Sequence, residues 1–224
     1  MDDRSLEILE QVYAKAARLG FLGPKELERL WERHLDDAFG LAAIRRPEPG
    51  ERWADLGSGA GLPGLPLAIA HPATSFTLID AQRRRLDWVA TTAAQLRLAN
   101  VTVVHARLED YAHGPARESF HAATARALGA LPVVAELGLP LLRVGGQLLV
   151  PRGQPSAEEL EQTGRACGQL GGRLDKVVPN PSSPIDRVGF VVIMAKIAAT
   201  SPRFPRRSGV PARTPLGRLR EHER

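Results

Sequence analysis

Apolar residues recur at helical spacing in the first part of the chain. Leu6, Leu9, Val12, Tyr13 and Ala16 predict a helix over Leu6–Arg18, which Gly20 stops. Pro24 opens a second predicted helix from Lys25 to about Ala43, with Leu27, Leu30, Trp31, Leu35, Ala38 and Phe39 on one side. Past Pro47-Glu48-Pro49-Gly50 the pattern changes to short apolar runs separated by amphipathic stretches. The runs predict strands at Trp53–Leu56, Phe76–Ile79, Val101–His105, Phe120–Ala125, Gly146–Val150, Leu174–Val178 and Val188–Ile197. Between them, Pro63–Ala70, Gln82–Leu98, Leu131–Leu142 and Ala157–Leu170 read as helices. Such alternation calls for a largely parallel sheet, and the final two strands, with no helix between them, suggest that the last is reversed. The expected fold class is α/β: a Rossmann-like, seven-stranded, mostly parallel sheet with N-terminal helices. Residues 1–46 form the helical extension, 47–199 the Rossmann-like domain and 200–224 a Pro/Arg-rich tail.

The turn after the first strand carries the candidate chemistry. Gly57, Gly59, Gly61 and Gly64 free the backbone to turn tightly and let a ligand approach closely. Gly57-Ser58-Gly59-Ala60-Gly61 fits the GxGxG turn of S-adenosylmethionine methyltransferases, and Gly59-Ala60-Gly61-Leu62-Pro63-Gly64 equally fits a dinucleotide GxGxxG. A turn with no ligand is the third possibility. Asp55, an acid under the turn where a cofactor's charged methionine end would lie, favours the first, as does a reversed last strand. Ligands of open α/β sheets lie outside the carboxyl ends of the strands. There Asp80 would accept from ribose hydroxyls or cap the next helix, and Leu108 and Glu109 would flank an adenine. Arg126 would hold a carboxylate or phosphate, or pair with Asp55 or Glu109.

Composition narrows the partners. The chain has 224 residues, 43% hydrophobic and 25% charged, which suits one α/β domain with a real core. Its single cysteine, Cys167, excludes an internal disulfide and a cysteine-rich zinc site. The histidines show no metal spacing, so no metal is expected. An acidic N-terminus and interrupted apolar runs predict a cytoplasmic protein with no membrane partner. The net charge of +5 is located: from Arg203 onward seven arginines stand against two glutamates, leaving the body neutral. A basic, Pro-rich tail without apolar periodicity should be extended or disordered when free. It suits phosphate contacts, with a solubilising tail as the bland alternative. No Asn/Asp-Pro-Pro-Tyr follows the fourth strand, which disfavours exocyclic-amine methylation, and no cysteine near the turn supports a covalent pyrimidine mechanism.

Taken together, the stretch Asp55 to Leu67, Phe76-Thr77-Leu78-Ile79-Asp80, Arg107-Leu108-Glu109 and Ala125-Arg126-Ala127 resemble the bacterial 16S ribosomal RNA guanine-N7 methyltransferase G family (glucose-inhibited division protein B). Arg33-His34-Leu35-Asp36-Asp37 is similar to that family's Arg-His-hydrophobic-Asp-Ser segment, and Phe204 to Leu216 to its Tyr-Pro-Arg-Arg tail. The chain departs from the family at Gly20–Pro24, where many members carry Asn-Leu-Thr, and in the denser triplet Arg83–Arg85. The resemblance implies methyl transfer from S-adenosylmethionine to N7 of a guanine in the 530 loop of 16S rRNA, free or in the small ribosomal subunit, by a monomer. It implies cofactor contacts at Gly57, Leu62, Leu108, Glu109 and Arg126, beside Asp55, Gly59, Gly61 and Asp80 from the turn itself. Arg126 would organise the site rather than act as a base, since N7 already presents a lone pair. Arg206, Arg207 and Arg213 would contact RNA, as would Arg33 and His34 on the substrate side unless they only face solvent on their helix. The rivals are a small-molecule methyltransferase, an RNA-binding assembly factor without turnover, and a NAD-binding oxidoreductase.

Overall fold

The computed structural model describes residues 3–23, 27, 30, 35–183 and 188–218. Seven strands form one sheet: β1 (Arg52–Leu56), β2 (Ser75–Asp80), β3 (Val101–His105), β4 (Phe120–Ala125), β5 (Leu142–Arg152), β6 (Gly172–Pro179) and β7 (Phe190–Lys196). Their order is β3-β2-β1-β4-β5-β7-β6. The pairs from β3 through β5 are parallel, whereas β7 runs antiparallel to both neighbours, β5 and β6. The reversed final strand read from the sequence is therefore present. Successive side chains of a strand point to opposite faces, and both faces of this sheet are apolar. Ala54, Leu56, Ile79, Ala123, Leu148 and Val192 belong to one core; Trp53, Phe76, Leu78, Ala122, Leu149 and Val191 belong to the other.

Helices cover each face. On the Trp53 side lie α1 (Asp3–Arg18), α2 (Asp36–Ile44), α3 (Gly64–Ala70) and α4 (Arg83–Gln95), contributing Leu9, Tyr13, Leu41, Leu65, Trp88 and Val89. On the other lie α5 (Leu108–Tyr111), α6 (Leu131–Gly138) and α7 (Ala157–Gln169), contributing Leu108, Val134, Leu137 and Cys167. Burial pushes the Cys167 thiol up to about 12, which suits a core residue and not a nucleophile. Of the second predicted helix, only Leu27, Leu30 and Leu35 to Ala43 fall among the described residues, and α2 lies in that last part. β5 starts four residues earlier than its apolar run suggested, and its register on β4 shifts between Phe120 and Ala122.

The tail corrects its sequence-based expectation. Through Gly217 it is docked on the domain, not extended, and residues 219–224 lie outside the described part. Side chains of the body grip its carbonyls. Arg117 donates to Thr200 O at 2.7 Å and Phe204 O at 2.8 Å, and His113 Nε2 lies 2.8 Å from Pro205 O. Gln162 and Arg165 of α7 donate to Leu216 O and Gly217 O. The central reason is Glu136. Every residue of α6 is buried, and this acid is fully so. Arg206 meets its carboxylate through Nε at 2.8 Å and Nη2 at 2.6 Å, while the Arg206 amide adds 2.9 Å. An unpaired buried carboxylate costs several kcal/mol, so the acid in α6 holds the tail. Phe204, only 3% exposed, adds about 2 kcal/mol of apolar burial. Arg206, expected to contact RNA, is instead occupied by this pair. The Arg206 side chain is partly exposed, so Arg206→Ala should cost about 2–4 kcal/mol in urea unfolding. A loss below about 0.5 kcal/mol would mean that the pair is not what holds the tail.

Candidate functional site

The glycine turn sits at the carboxyl ends of β1 and β2, which are in register with Leu56 beside Ile79. Gly57 and Ser58 both donate to Ile79 O, at 2.9 and 3.0 Å, and fold the chain back over β2. Gly57 and Gly59 adopt φ of +68° and +55°, which favours glycine; a Cβ on Gly57 would stand 2.7 Å from Leu128 Cδ1. Two carboxylates hold this loop. Asp80 Oδ2 accepts from Gly59 N at 2.9 Å, and its Oδ1 accepts from Gln82 N at 2.8 Å at the start of α4. Asp55 Oδ2 accepts from Gly64 N at 2.9 Å, where α3 begins, while its Oδ1 is buried with no hydrogen-bond partner in the protein. Tyr13 of α1, fully buried, donates to Gly61 O at 3.2 Å and braces the turn from beneath.

A cleft of about 350 Å³ opens beside this turn. Gly57, Asp80 and Gln82 supply polar lining; Leu108, Leu128, Val133 and Leu137 supply an apolar wall. Glu109 lies in the first turn of α5, and its Oε1 accepts from Gly209 N at 2.9 Å. The tail thus forms part of the cleft, with Gly209, Pro211 and Ala212 among its lining. A second cavity, of about 310 Å³, lies past β4 and β5 and holds Asp36, Asp37, Arg126, Val150 and Arg152. Ala127 and Leu128 line both cavities, and Ala127 takes φ +54°, a strained conformation for a residue with a Cβ. Such outliers persist where a site over-determines them.

The structure brings together four of the sequence-selected residues, Gly57, Asp80, Leu108 and Glu109, around one cleft. Asp55 and Leu62 are buried behind it, and Gly59 is joined to it through Asp80. Arg126 stands in the second cavity, where its guanidinium lies 3.8 Å from Asp37, and its charge also acts on Asp55. Arg33 and His34 lie outside the described residues. Arg207 and Arg213 are both exposed, on the tail. Of the arginine triplet, Arg83 and Arg84 are exposed and Arg85 lines the cleft; Arg84 donates to Leu19 O and lies over the Phe21 ring. The residues that sequence reasoning missed are Tyr13, Asp37 and the tail wall at Gly209–Ala212. The signal for the wall was present as Glu136, a lone acid in an apolar helix that demands a cation from elsewhere.

Asp55 has unusual electrostatics. Burial raises its pKa to about 7, and neighbouring Asp80 adds to the rise; the Gly64 N–H and Arg126 partly oppose it. Folding therefore favours the protonated acid. Stability of the ligand-free protein should be fullest below about pH 4 as far as this group decides it, and should fall as pH rises toward about 7. Asp55→Asn, which keeps an acceptor for Gly64, should flatten that fall in denaturant melts between pH 5 and 8. An unchanged slope would assign the pH dependence to other groups.

Among the described residues no group of three or more His, Cys, Asp or Glu could hold a metal, and no helix is long and apolar enough to cross a membrane. A family model for rRNA small subunit methyltransferase G matches residues 5–182. A ribosomal RNA small subunit methyltransferase G of Deinococcus radiodurans is 38% identical over 218 residues, covering 96% of this chain and 85% of the relative. That of Deinococcus deserti is 41% identical over 185 residues, covering 82% and 76%. Among solved structures, a 16S rRNA adenine-1408 N1-methyltransferase variant from Catenulisporales acidiphilia, crystallised with its cosubstrate SAM, superposes with a TM-score of 0.57. It is 16% identical and covers 75% of this chain and 93% of that one. A SAM-dependent methyltransferase from Aquifex aeolicus, 17% identical, gives 0.56 over 79% of this chain and all of the other. The sheet order and these superpositions give the class I, Rossmann-like methyltransferase fold.

Proposed function

We propose that this chain, which belongs to the rRNA small subunit methyltransferase G family, methylates N7 of a guanine in the 530 loop of 16S ribosomal RNA in the cytoplasm. Membership itself carries the coarser statement: the protein is an S-adenosylmethionine-dependent methyltransferase of small-subunit rRNA. The finer reading rests on chemistry. Among the described residues, the second cavity offers Asp37 paired with Arg126 and no positioned histidine or cysteine. N7 of guanine carries an available lone pair, so its methylation needs orientation and a dry pocket more than a base.

The cleft suits the cofactor. Asp80, with one backbone donor on each oxygen, keeps lone pairs for a ribose diol. Gly57, with no Cβ, packs directly against the Leu128 side chain that lines the cleft. The unpartnered Oδ1 of Asp55 suits a cationic head group such as the methionine ammonium. When bound, the cofactor supplies an electrophilic methyl group on a sulfonium. The protein's own part is to hold the ribose at Asp80, enclose the adenine between Leu108 and the tail, and orient the base with Arg126. Arg207 and Arg213 meet RNA phosphates from outside the tail.

The deciding observation is that Gly57, Asp80 and Glu109 face one cleft directly beside the Arg126 cavity. Its test is transfer of label from S-adenosylmethionine to 16S rRNA and to small subunits from cells lacking the enzyme, followed by mapping of the base. N7-methylguanine in the 530 loop is expected. Label at another atom would refute the finer reading, and cofactor binding without any labelled rRNA would favour a small-molecule acceptor.

Two further outcomes follow from the groups just named. Because a bound ammonium favours ionised Asp55, affinity for S-adenosylhomocysteine should weaken as pH falls below about 7, and Asp55→Asn should remove that dependence. Arg213→Ala should weaken rRNA binding and reduce its salt slope by about 1, with affinity for S-adenosylhomocysteine unchanged. A slope equal to wild type would remove Arg213 from the RNA surface.

A further inference from the structure

The tail does more than rest on the domain. Three of its residues, Gly209, Pro211 and Ala212, line the same cleft as Leu108 and Glu109. Its Gly209 N–H engages one oxygen of Glu109, a residue 100 positions earlier and only 9% exposed. Three residues before that N–H stands Arg206, clamped on Glu136 by three hydrogen bonds. Five residues after it, Thr214 O accepts from the same guanidinium at 2.8 Å. One side chain therefore ties both ends of the segment 206–214 to a fully buried acid, and the loop between them carries the group that orients Glu109.

From this arrangement we infer that Arg206 and Glu136 are positioning residues for the cofactor's adenine. They latch the tail so that Gly209 N–H fixes one Glu109 oxygen and turns the other toward the exocyclic amine. The proposal rests on the cofactor reading of the cleft. A carboxylate held by one backbone donor keeps its second oxygen as an acceptor in a defined direction, and it rejects a base that presents a carbonyl there. Released from Gly209, Glu109 regains rotamer freedom and turns toward water, so binding loses selectivity more than it loses contact area. Loss of the latch should thus weaken recognition of the amine specifically, which a merely structural tail would not do.

The test compares S-adenosylhomocysteine with S-inosylhomocysteine, which carries a carbonyl in place of the amine, by calorimetry on the full chain. Wild type should prefer the adenine form by about tenfold or more. Replacing the whole latch with apolar residues, Glu136→Leu with Arg206→Met, avoids a stranded buried charge, and folding is checked by circular dichroism and melting. In that folded variant the preference should fall to about threefold or less, while Arg206→Lys, which keeps one charge-assisted bond, should restore part of it. A folded latch variant with the wild-type preference would overturn the proposal and leave the tail a structural strap. Wild type that binds both ligands equally would overturn it from the other side, removing Glu109 from the adenine. Wild type that binds neither would contradict the cofactor reading itself.

Discussion

Two carboxylates decide the shape of this protein's working edge. Asp55 and Asp80 end adjacent parallel strands and each takes a backbone N–H of the loop between them, from Gly64 and Gly59. A glycine-rich loop has much backbone freedom to lose, and hydrogen bonds to two anchored acids offset that cost. The turn is then pressed from below by Tyr13 and limited from the side by Leu128. Asp80 is committed to the loop and still open to a ligand. Asp55 is buried deeply enough to keep its proton near neutrality and has an oxygen with no protein partner.

The second dependency runs between α6 and the tail. A helix buried on every side has no room for a solvated acid, so Glu136 must be met by a cation. The chain supplies it 70 positions later, and the wall of the cleft comes with it. Charge on the tail divides accordingly. Arg206 turns inward to a structural partner, whereas Arg213 stays in water, where phosphates can be met.

Much of the fold was legible because its signals are local. Short apolar runs such as Phe76–Ile79 and the turn glycines carry their own conformational meaning, and the reversed β7 followed from the missing helix before it. Asp80, Leu108 and Glu109 could be placed at strand ends by topology alone. What could not be read were pairings over long sequence separations. Nothing near Arg206 announces Glu136, and nothing near Gly209 announces Glu109. Arg126 was placed at the right edge of the sheet, but its ion pair with Asp37 was not read, because Asp37 arrives from α2, far away in sequence. A composition-based view of the tail as solvated failed for the same reason: composition counts charges without showing which are already matched.

The central claim is that this cleft binds S-adenosylmethionine through the two-carboxylate turn. A crystal structure with S-adenosylhomocysteine tests it most directly. The account places the ribose hydroxyls on Asp80, the adenine between Leu108 and the Gly209–Ala212 wall, and the amino group toward Asp55. A ligand seated in the Asp37–Arg126 cavity, or bound without touching Asp80, would contradict it.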